Sequence, residues 1–539
     1  MTNRLIRAFF LAATAATIGA CNVGEATETE NLPAADACAV IARASLGLPQ
    51  TTITIAEEVT APFTPPETFD SRGFTVEDAS FCRVAGVASP EEGSEIKFEV
   101  WLPHADQWNG RFQGIGSGGS AGAIRYRQLA AAVDDGYAAV ATDNGHTSTS
   151  SFDGSWSLGH PVRIVDFGYR AQHEATLVGK AVTSAYYGRE ADYAYFVGCS
   201  QGGHHALMEA QRFPDDYDGI VAGAPANYWL GLMTGELWAG LATTQVAGQD
   251  LPREKLPVLG AAVLAACDAI DGLEDGLIDD PRACDFDPGV LQCAGADGSD
   301  CLTEGQVAAA RAIYGGPVRP STGERLFPGY ALGSEYFEAP NGLGGWAPYW
   351  SGITEPGGST AAFMKYSVFE DPDYDVMQFD FDADWDLANN RPIGNDETLS
   401  SALNAIDPDL SAFKAGGSKL ISYHGWADPL VTAHNAVNYF ESVIAEQGSV
   451  EQTTDFYRLF MAPGMAHCRG GPGPDRFDAV SAIEQWVEQG VPPDQLIASK
   501  MVEGEVSRTR PLCAYPQVAR YTGSGSIDDA ANFACVDPE

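Results

Sequence analysis

The sequence predicts an α/β fold, a mostly parallel sheet covered by helices and interrupted by one long insertion. Two observations carry this. Over residues 37–227 short apolar runs alternate with amphipathic stretches, and the same rhythm returns over residues 416–539. Such alternation is how a chain writes strands and their covering helices. Between them, over residues 228–415, the rhythm breaks into a stretch rich in Gly, Pro, Asp and aromatic residues, which reads as an inserted lid. A chain of 539 residues also exceeds what one ordinary core fills, so an added unit is expected.

The elements follow in chain order. Arg4 and Arg7 precede an apolar run over residues 8–20, too short to span a bilayer and flanked as an export signal is. It ends Gly19-Ala20-Cys21, which resembles the bacterial lipoprotein box, so residues 1–21 are expected to be a signal peptide with Cys21 as the lipidated residue. Residues 22–36, acidic and Ala-rich, read as a flexible tether. Localisation is then export, to the periplasm or the outer membrane as a lipoprotein, or secretion. Residues 96–102 alternate like a strand, 137–141 and 193–197 are buried-strand candidates, and 168–187 has helical spacing. Gly198 stops the third of these strands; a helix over 202–213 and a strand over 219–224 follow. After the insertion, strands are expected at 420–423 and 457–461 and helices at 433–446 and 475–489.

Composition bounds what such a fold serves. Hydrophobic residues make up 45% and charged ones 19%, enough apolar material for a filled core. There are 31 basic against 73 acidic residues, a formal net charge of −42. Nucleic-acid binding is excluded, because phosphate contacts need clustered Lys and Arg. Membrane contact is left to the N-terminal lipid alone. Of 11 Cys, setting Cys21 aside leaves ten, an even number suited to disulfides in an oxidising compartment.

Serine is a weak nucleophile at neutral pH and needs a base in hydrogen-bond reach and donors for the developing oxyanion. The pattern G-x-S-x-G supplies the tight strand-to-helix turn that exposes such a serine, but among 59 Gly it occurs twice, around Ser120 and around Ser200. Context separates the two. Ser200 directly follows a buried strand and precedes a helix, whereas Ser120 lies in a Gly-rich loop, 114–122, where an α/β-hydrolase places its second oxyanion donor. Ser200 is therefore the candidate nucleophile, with the backbone N–H groups of Gly119 and Gln201 as the oxyanion hole.

The acid and base should follow in the order Asp, then His. Asp428 lies in a strand-end loop, Tyr423-His424-Gly425-Trp426-Ala427-Asp428, and His467 in the Gly-containing loop after the next strand. His467 would take the serine proton while Asp428 fixes its tautomer. His204 and His205 sit too close behind Ser200; His424, His434 and His146 read as structural hydrogen-bonding residues. Cys199 and Cys468 are the immediate neighbours of Ser200 and His467, and a disulfide between them would hold nucleophile and base together.

With those residues in place, the chain resembles the tannase and feruloyl esterase family, which includes MHET hydrolase (MHETase). The likeness rests on G-C-S-Q-G-G at 198–203, D-G-I-V-A-G-A-P-A at 218–226, Y-H-G-W-A-D-P at 423–429 and G-M-A-H-C at 464–468. It implies a disulfide beside the triad and a calcium ion in the lid. The loop over 267–277 sets carboxylates among glycines, as a hard cation with oxygen ligands requires, without the spacing of an EF-hand. The resemblance implies Asp268, Asp271 and Asp275 as side-chain ligands, with the carbonyls of Leu273 and Leu277, in a structural Ca2+ site. It also implies the pairs Cys38–Cys82, Cys267–Cys284, Cys293–Cys301 and Cys513–Cys535 beside Cys199–Cys468.

Members of that family cleave esters of aromatic acids, so the expected partner is a small-molecule aromatic ester of feruloyl, galloyl or terephthaloyl type, cleaved by a serine carboxylic-ester hydrolase through an acyl-enzyme. Trp346, Trp350, Phe363, Tyr366 and Phe369, with Tyr228 and Trp229, are candidates to pack against it, most of them as lid core. An acidic ester such as MHET would want a cation nearby, and residues 346–385 offer only Lys365. Gln201 stands where MHETase carries Glu; the contact expected there is from the backbone. Two rival readings keep the fold. One is a broad short-chain or aryl esterase, the other a non-catalytic calcium-binding surface protein, against which the intact Ser, Asp and His set argues.

Overall fold

Nine strands form the central sheet, and their side chains explain why it is buried on both faces. The strands up to the insertion are β1 (Thr51–Thr60), β2 (Ser80–Ala88), β3 (Ile96–Pro103), β4 (Arg111–Ile115), β5 (Ala138–Thr142), β6 (Tyr193–Cys199) and β7 (Gly219–Gly223). Within the insertion lies a short hairpin, β8 (Pro392–Gly394) and β9 (Glu397–Thr398), and after it come β10 (Lys419–Gly425) and β11 (Tyr457–Ala462). The sheet order is β1-β2-β3-β5-β4-β6-β7-β10-β11. β1 to β3 and β5 pair antiparallel; from β5 through β11 every pairing is parallel. The computed structural model describes residues 34–41, 46–244, 248–338, 344–346 and 358–538. The expected signal peptide, Cys21, most of the tether and Trp350 lie outside those residues.

Neighbouring residues of a strand point to opposite faces, and here each neighbour finds its own core. Tyr195, Val221, Ile421 and Phe460 pack with Trp101, Ile483 and Trp486. Phe196, Ile220, Leu420 and Leu459, the next residue along or before, pack with Val178, Leu207 and Phe440 on the other face. Burial on both faces is why these strands read as continuous apolar runs.

The sequence placed the parallel strands well and the antiparallel edge poorly. β1 is half exposed along its length and shifts register between Ile53 and Ile55, which breaks the period-two signal. The helix expected at 475–489 starts later, at Ala479, because the Asp478 carboxylate caps it by accepting from Ser481 N–H at 2.8 Å. The helix expected at 168–187 opens with a π-helical turn, Asp166–Arg170, before the α-helix Ala171–Tyr187. A helix, Ala34–Ile41, begins inside the expected tether; its Ala-rich sequence favours helix and Cys38 anchors it to β2 through Cys82.

The insertion has cores of its own. Helices Trp229–Thr244, Leu256–Cys267 and Glu304–Gly315 are its longest. Trp229, Leu237, Phe327, Phe363, Phe379 and Trp385 form one apolar cluster, and Leu256, Val307, Ile313 and Trp346 another. Residues from Ala34 onward form one compact unit. A C-terminal pair of hairpins, β12 (Gln495–Val502) with β13 (Glu505–Cys513) and β14 (Val518–Tyr521) with β15 (Phe533–Val536), completes the chain. No helix among the described residues is long and apolar enough to cross a membrane.

Candidate active site

Ser200 sits at the turn between β6 and the helix Gln201–Arg212, at φ 65° and ψ −121°. A non-glycine residue at positive φ costs on the order of 1–3 kcal/mol and persists only where its surroundings enforce it. They do so here. Ser200 N–H donates to the Gly223 carbonyl of β7 at 2.9 Å, and its own carbonyl accepts from His204 at 3.0 Å and Ala226 at 3.1 Å. A Cβ at Gly198 would come within 2.4 Å of the Gly202 backbone, so only glycine closes this turn.

The Gly-rich loop after β4 lies against that turn. Gly116 N–H donates to the Val197 carbonyl at 2.9 Å, and a Cβ at Gly202 would meet the Ser117 carbonyl at 2.8 Å. Gly119 has φ +61°. Among the described residues neither its N–H nor that of Gln201 has a hydrogen-bond partner, whereas Ser120 N–H is taken by the Ser151 carbonyl at 2.7 Å. Ser120 is a buried loop residue, and its carbonyl contacts His146 Nε2 at 3.1 Å. The Gln201 side chain is fully buried, and among the described residues neither amide atom is paired.

Asp428 and His467 meet. Asp428 is fully buried in the loop after β10, and its Oδ2 accepts from His467 Nδ1 at 2.7 Å. Its Oδ1 accepts from the N–H groups of Leu430 at 2.9 Å and Val431 at 3.0 Å. Burial pushes this carboxyl up, but the facing His467 and the hydrogen bonds from His424 and His467 outweigh it and hold the group well below the usual carboxylate range. His467 Nε2 is buried with no hydrogen-bond partner among the described residues. The disulfide Cys199–Cys468, with Cα atoms 6.1 Å apart, ties the residue before Ser200 to the residue after His467. One imidazole nitrogen is thus committed to the carboxylate and the other is open.

His424 has a part the sequence reading missed. Its Nε2 contacts Asp428 Oδ2 at 3.0 Å and the Val431 carbonyl at 2.9 Å. Both partners are acceptors, so Nε2 carries the hydrogen and donates. The available signal was its place, four residues before Asp428 at the end of the same strand. Two histidines behind the elbow are buried structural donors: His204 Nε2 donates to the Leu403 carbonyl and His205 Nε2 to that of Phe167. Burial lowers His205, His146 and His434 to about 4.

A small, mostly apolar cavity of about 10 Å³ lies between the loop over 114–122 and the insertion, lined by Ser120, Gly154, Trp156, Ile164, Phe167, Trp229, Phe363, Ser367 and Leu403. Phe363 and Trp229 were candidates to pack against substrate; Trp156 and Phe167, which lie before Ser200 in the chain, were not. Trp346 is fully buried in the insertion's second core, and Phe369 stacks on Tyr374 at 3.7 Å. Tyr228, Tyr366 and Lys365 are half-buried.

The acidic loop of the insertion folds on itself. Asp268 accepts from the N–H groups of Asp275 and Gly276, each at 3.0 Å, Asp271 from Leu273 at 2.9 Å, and Asp275 from Leu277 at 3.2 Å. Arg510 donates to Asp275 Oδ2. A fourth carboxyl, Asp279, is buried against Asp271 and Asp275. Arg510 makes the tightest of three guanidinium contacts, with Arg508 3.8 Å from Asp275 and Arg520 3.9 Å from Asp279, and four carboxyl groups with their loop carbonyls remain an oxygen-rich donor set of the kind a hard cation takes.

The ten paired cysteines join as Cys38–Cys82, Cys199–Cys468, Cys267–Cys284, Cys293–Cys301 and Cys513–Cys535. Five such bonds are what an exported protein carries.

A mixed, largely parallel sheet, a serine at positive φ on a strand-to-helix turn and a paired Asp and His fit a hydrolase of the α/β class. The pattern described as "Tannase and feruloyl esterase" matches residues 82–536, so the chain belongs to that family and is a carboxylic ester hydrolase. It is 41% identical to an uncharacterized esterase of Xanthomonas campestris over 92% of this chain and 90% of that one. It is 36% identical to the mono(2-hydroxyethyl) terephthalate hydrolase of Piscinibacter sakaiensis over 85% of each chain. The crystal structure of feruloyl esterase B from Aspergillus oryzae superposes with a TM-score of 0.83 at 28% identity, covering 94% of this chain and 100% of that one.

Proposed function

We propose that this hydrolase cleaves esters of aromatic acids through an acyl-enzyme formed on Ser200. The observation that carries the reading is His467: its Nδ1 is held by Asp428 and its Nε2 is open, while a disulfide binds its neighbour to the neighbour of Ser200. In this mechanism Ser200 Oγ attacks the ester carbonyl and His467 Nε2 accepts the proton. Asp428 stabilises the imidazolium, and the N–H groups of Gly119 and Gln201 receive the oxyanion. The imidazolium returns its proton to the departing alcohol. Water then attacks the acyl group by the same base, and the acid leaves. Support for an aromatic acyl group comes from the relatives, among them a mono(2-hydroxyethyl) terephthalate hydrolase at 36% identity and a feruloyl esterase B of the same fold.

Rates on matched feruloyl, galloyl, terephthaloyl and short aliphatic esters, with Ser200→Ala as control, test this reading. The aromatic esters are expected to be preferred and Ser200→Ala to lose about 10⁶ in kcat, the scale of losing a serine nucleophile. Equal rates across the panel would remove the aromatic assignment, and an active Ser200→Ala would remove the serine.

For the acidic loop, we propose a structural Ca2+ held by Asp268, Asp271 and Asp275 with the carbonyls of Leu273 and Leu277. Its support is the concentration of oxygen ligands on one loop. Chelation is expected to lower Tm, and calcium, but not magnesium at equal concentration, to restore it. An unchanged Tm on chelation counts against the site.

A further inference from the structure

Behind the elbow, on the same helix as Ser200, lies a second cluster of ligating groups that the hydrolytic reading does not use. Glu209 is near the end of the helix Gln201–Arg212 and is 1% exposed. No N–H or hydroxyl donor among the described residues reaches its carboxylate oxygens; the group set against them is the Asp216 carboxyl, which carries like charge unless a proton or a cation lies between the two. A buried carboxylate in that state is costly, and proteins keep one where a cation or a proton meets it. His173, from the first turn of the helix Ala171–Tyr187, and Asp216, from the turn before β7, complete the group. One nitrogen or oxygen of each of the three residues lies within 4.8 Å of the others.

The surroundings suit a cation more than a lone proton. His173 Nδ1 is 2.6 Å from Asp216 Oδ2, and its ring stacks on Phe213 at 3.7 Å, which fixes the imidazole. Lys180, the nearest ammonium, donates to the Asp216 carbonyl oxygen and not to the Glu209 carboxylate. The His173 side chain is 23% exposed and that of Asp216 11%, so the group opens to solvent on one side, leaving an entry path and room for water ligands.

We propose that His173, Glu209 and Asp216 form a binding site for a divalent transition cation of the zinc type, distinct from the acidic loop of the insertion. One imidazole nitrogen with two carboxylates is a mixed donor set, which zinc and its neighbours accept and which calcium, taking oxygen alone, does not favour. Two carboxylate charges match one dication. The ion would tie the nucleophile's helix to the helix Ala171–Tyr187 and to the entry of β7. The inference stands on this geometry and does not depend on the ester-hydrolase mechanism.

The test is metal binding to the full-length protein kept in excess calcium, so that the acidic loop does not respond. Zn2+ titrated calorimetrically is expected to bind one per chain, and Co2+ in its place to give a visible absorption band. Glu209→Gln, which preserves volume, and His173→Asn, at the partly exposed edge, are each expected to weaken Zn2+ by more than about 10-fold, since even residues behind a ligand cost that much. No stoichiometric binding to the wild type overturns the site and leaves a proton shared between Glu209 and Asp216. Binding that survives in both variants places the metal elsewhere and overturns it equally.

Discussion

Asp428 serves two histidines with one oxygen and two backbone N–H groups with the other. An amide in its place cannot satisfy both sides, because whichever way it turns, its NH2 faces donors. Asp428→Asn is therefore expected to lower kcat by about 10⁴, the scale of a wrong-tautomer histidine, with Ser200 and His467 intact. It also makes a pH statement. The folded-state pKa of Asp428 is depressed, so its stability contribution is complete above the ordinary carboxylate value of about 3.9 and fades as pH falls toward the folded value. The Tm deficit of Asp428→Asn against wild type should be largest at neutral pH and shrink below about pH 4; a deficit constant with pH would mean that the charge is not what stabilises. Both residues of this pair were legible from chain order and strand-end position. His424 was legible only as a structural residue, since sharing Asp428 Oδ2 depends on how the loop after β10 closes.

At the level of elements, the proposed catalytic geometry depends on two loops joined by one covalent bond. Cys199–Cys468 closes a sequence separation of 269 residues, whereas Cys513–Cys535 closes 22 near the C-terminus. Longer closures constrain the unfolded chain more, and loss of a native disulfide costs about 2–5 kcal/mol. Replacing Cys199 and Cys468 together by Ala is expected to lower Tm and kcat together, because the strained elbow loses its brace against the histidine loop. Replacing Cys513 and Cys535 should lower Tm less and leave kcat unchanged. Equal kcat in both double variants would show that packing alone aligns the base. The two half-cystines beside the catalytic residues could be read from adjacency, and the parallel strands β6, β7, β10 and β11 from their doubly buried apolar runs. The insertion was visible only as a break in rhythm. Its helix Trp229–Thr244 is apolar nearly all round, with 13 of its 16 residues buried, so it lacks the one-sided periodicity that announces a surface helix.

For the molecule as a whole, the excess of acid sets how stability follows pH. Several carboxyls besides Asp428 are buried and raised rather than depressed, Glu236 among them facing His467. Burial pushes Asp166 to about 6, Glu236 and Glu335 to about 7 and Asp143 to about 8, against the hydrogen bonds that each receives. Each holds a proton in the folded state at a pH where the unfolded chain has released it. Stability then falls as pH rises from the ordinary carboxylate range through these values, because the unfolded state binds fewer protons. A formal net charge of −42 acts in the same direction, since self-repulsion grows as the remaining carboxyls ionise. Below about pH 6.5 the buried histidines, lowered to about 4, act the other way, so Tm is expected to decline from about pH 6.5 to pH 8, and added monovalent salt to recover part of the loss at pH 8 by screening the surface share. Salt leaves the buried share in place, and Glu236→Gln removes one piece of it, because the amide oxygen can still accept from Thr360 while carrying no titrating proton. That variant should flatten the decline around pH 7 without altering the salt response. A Tm that climbs over this interval would mean that these carboxyls are ionised and paired, and the buried acids would then have to be counted among the stabilising charges.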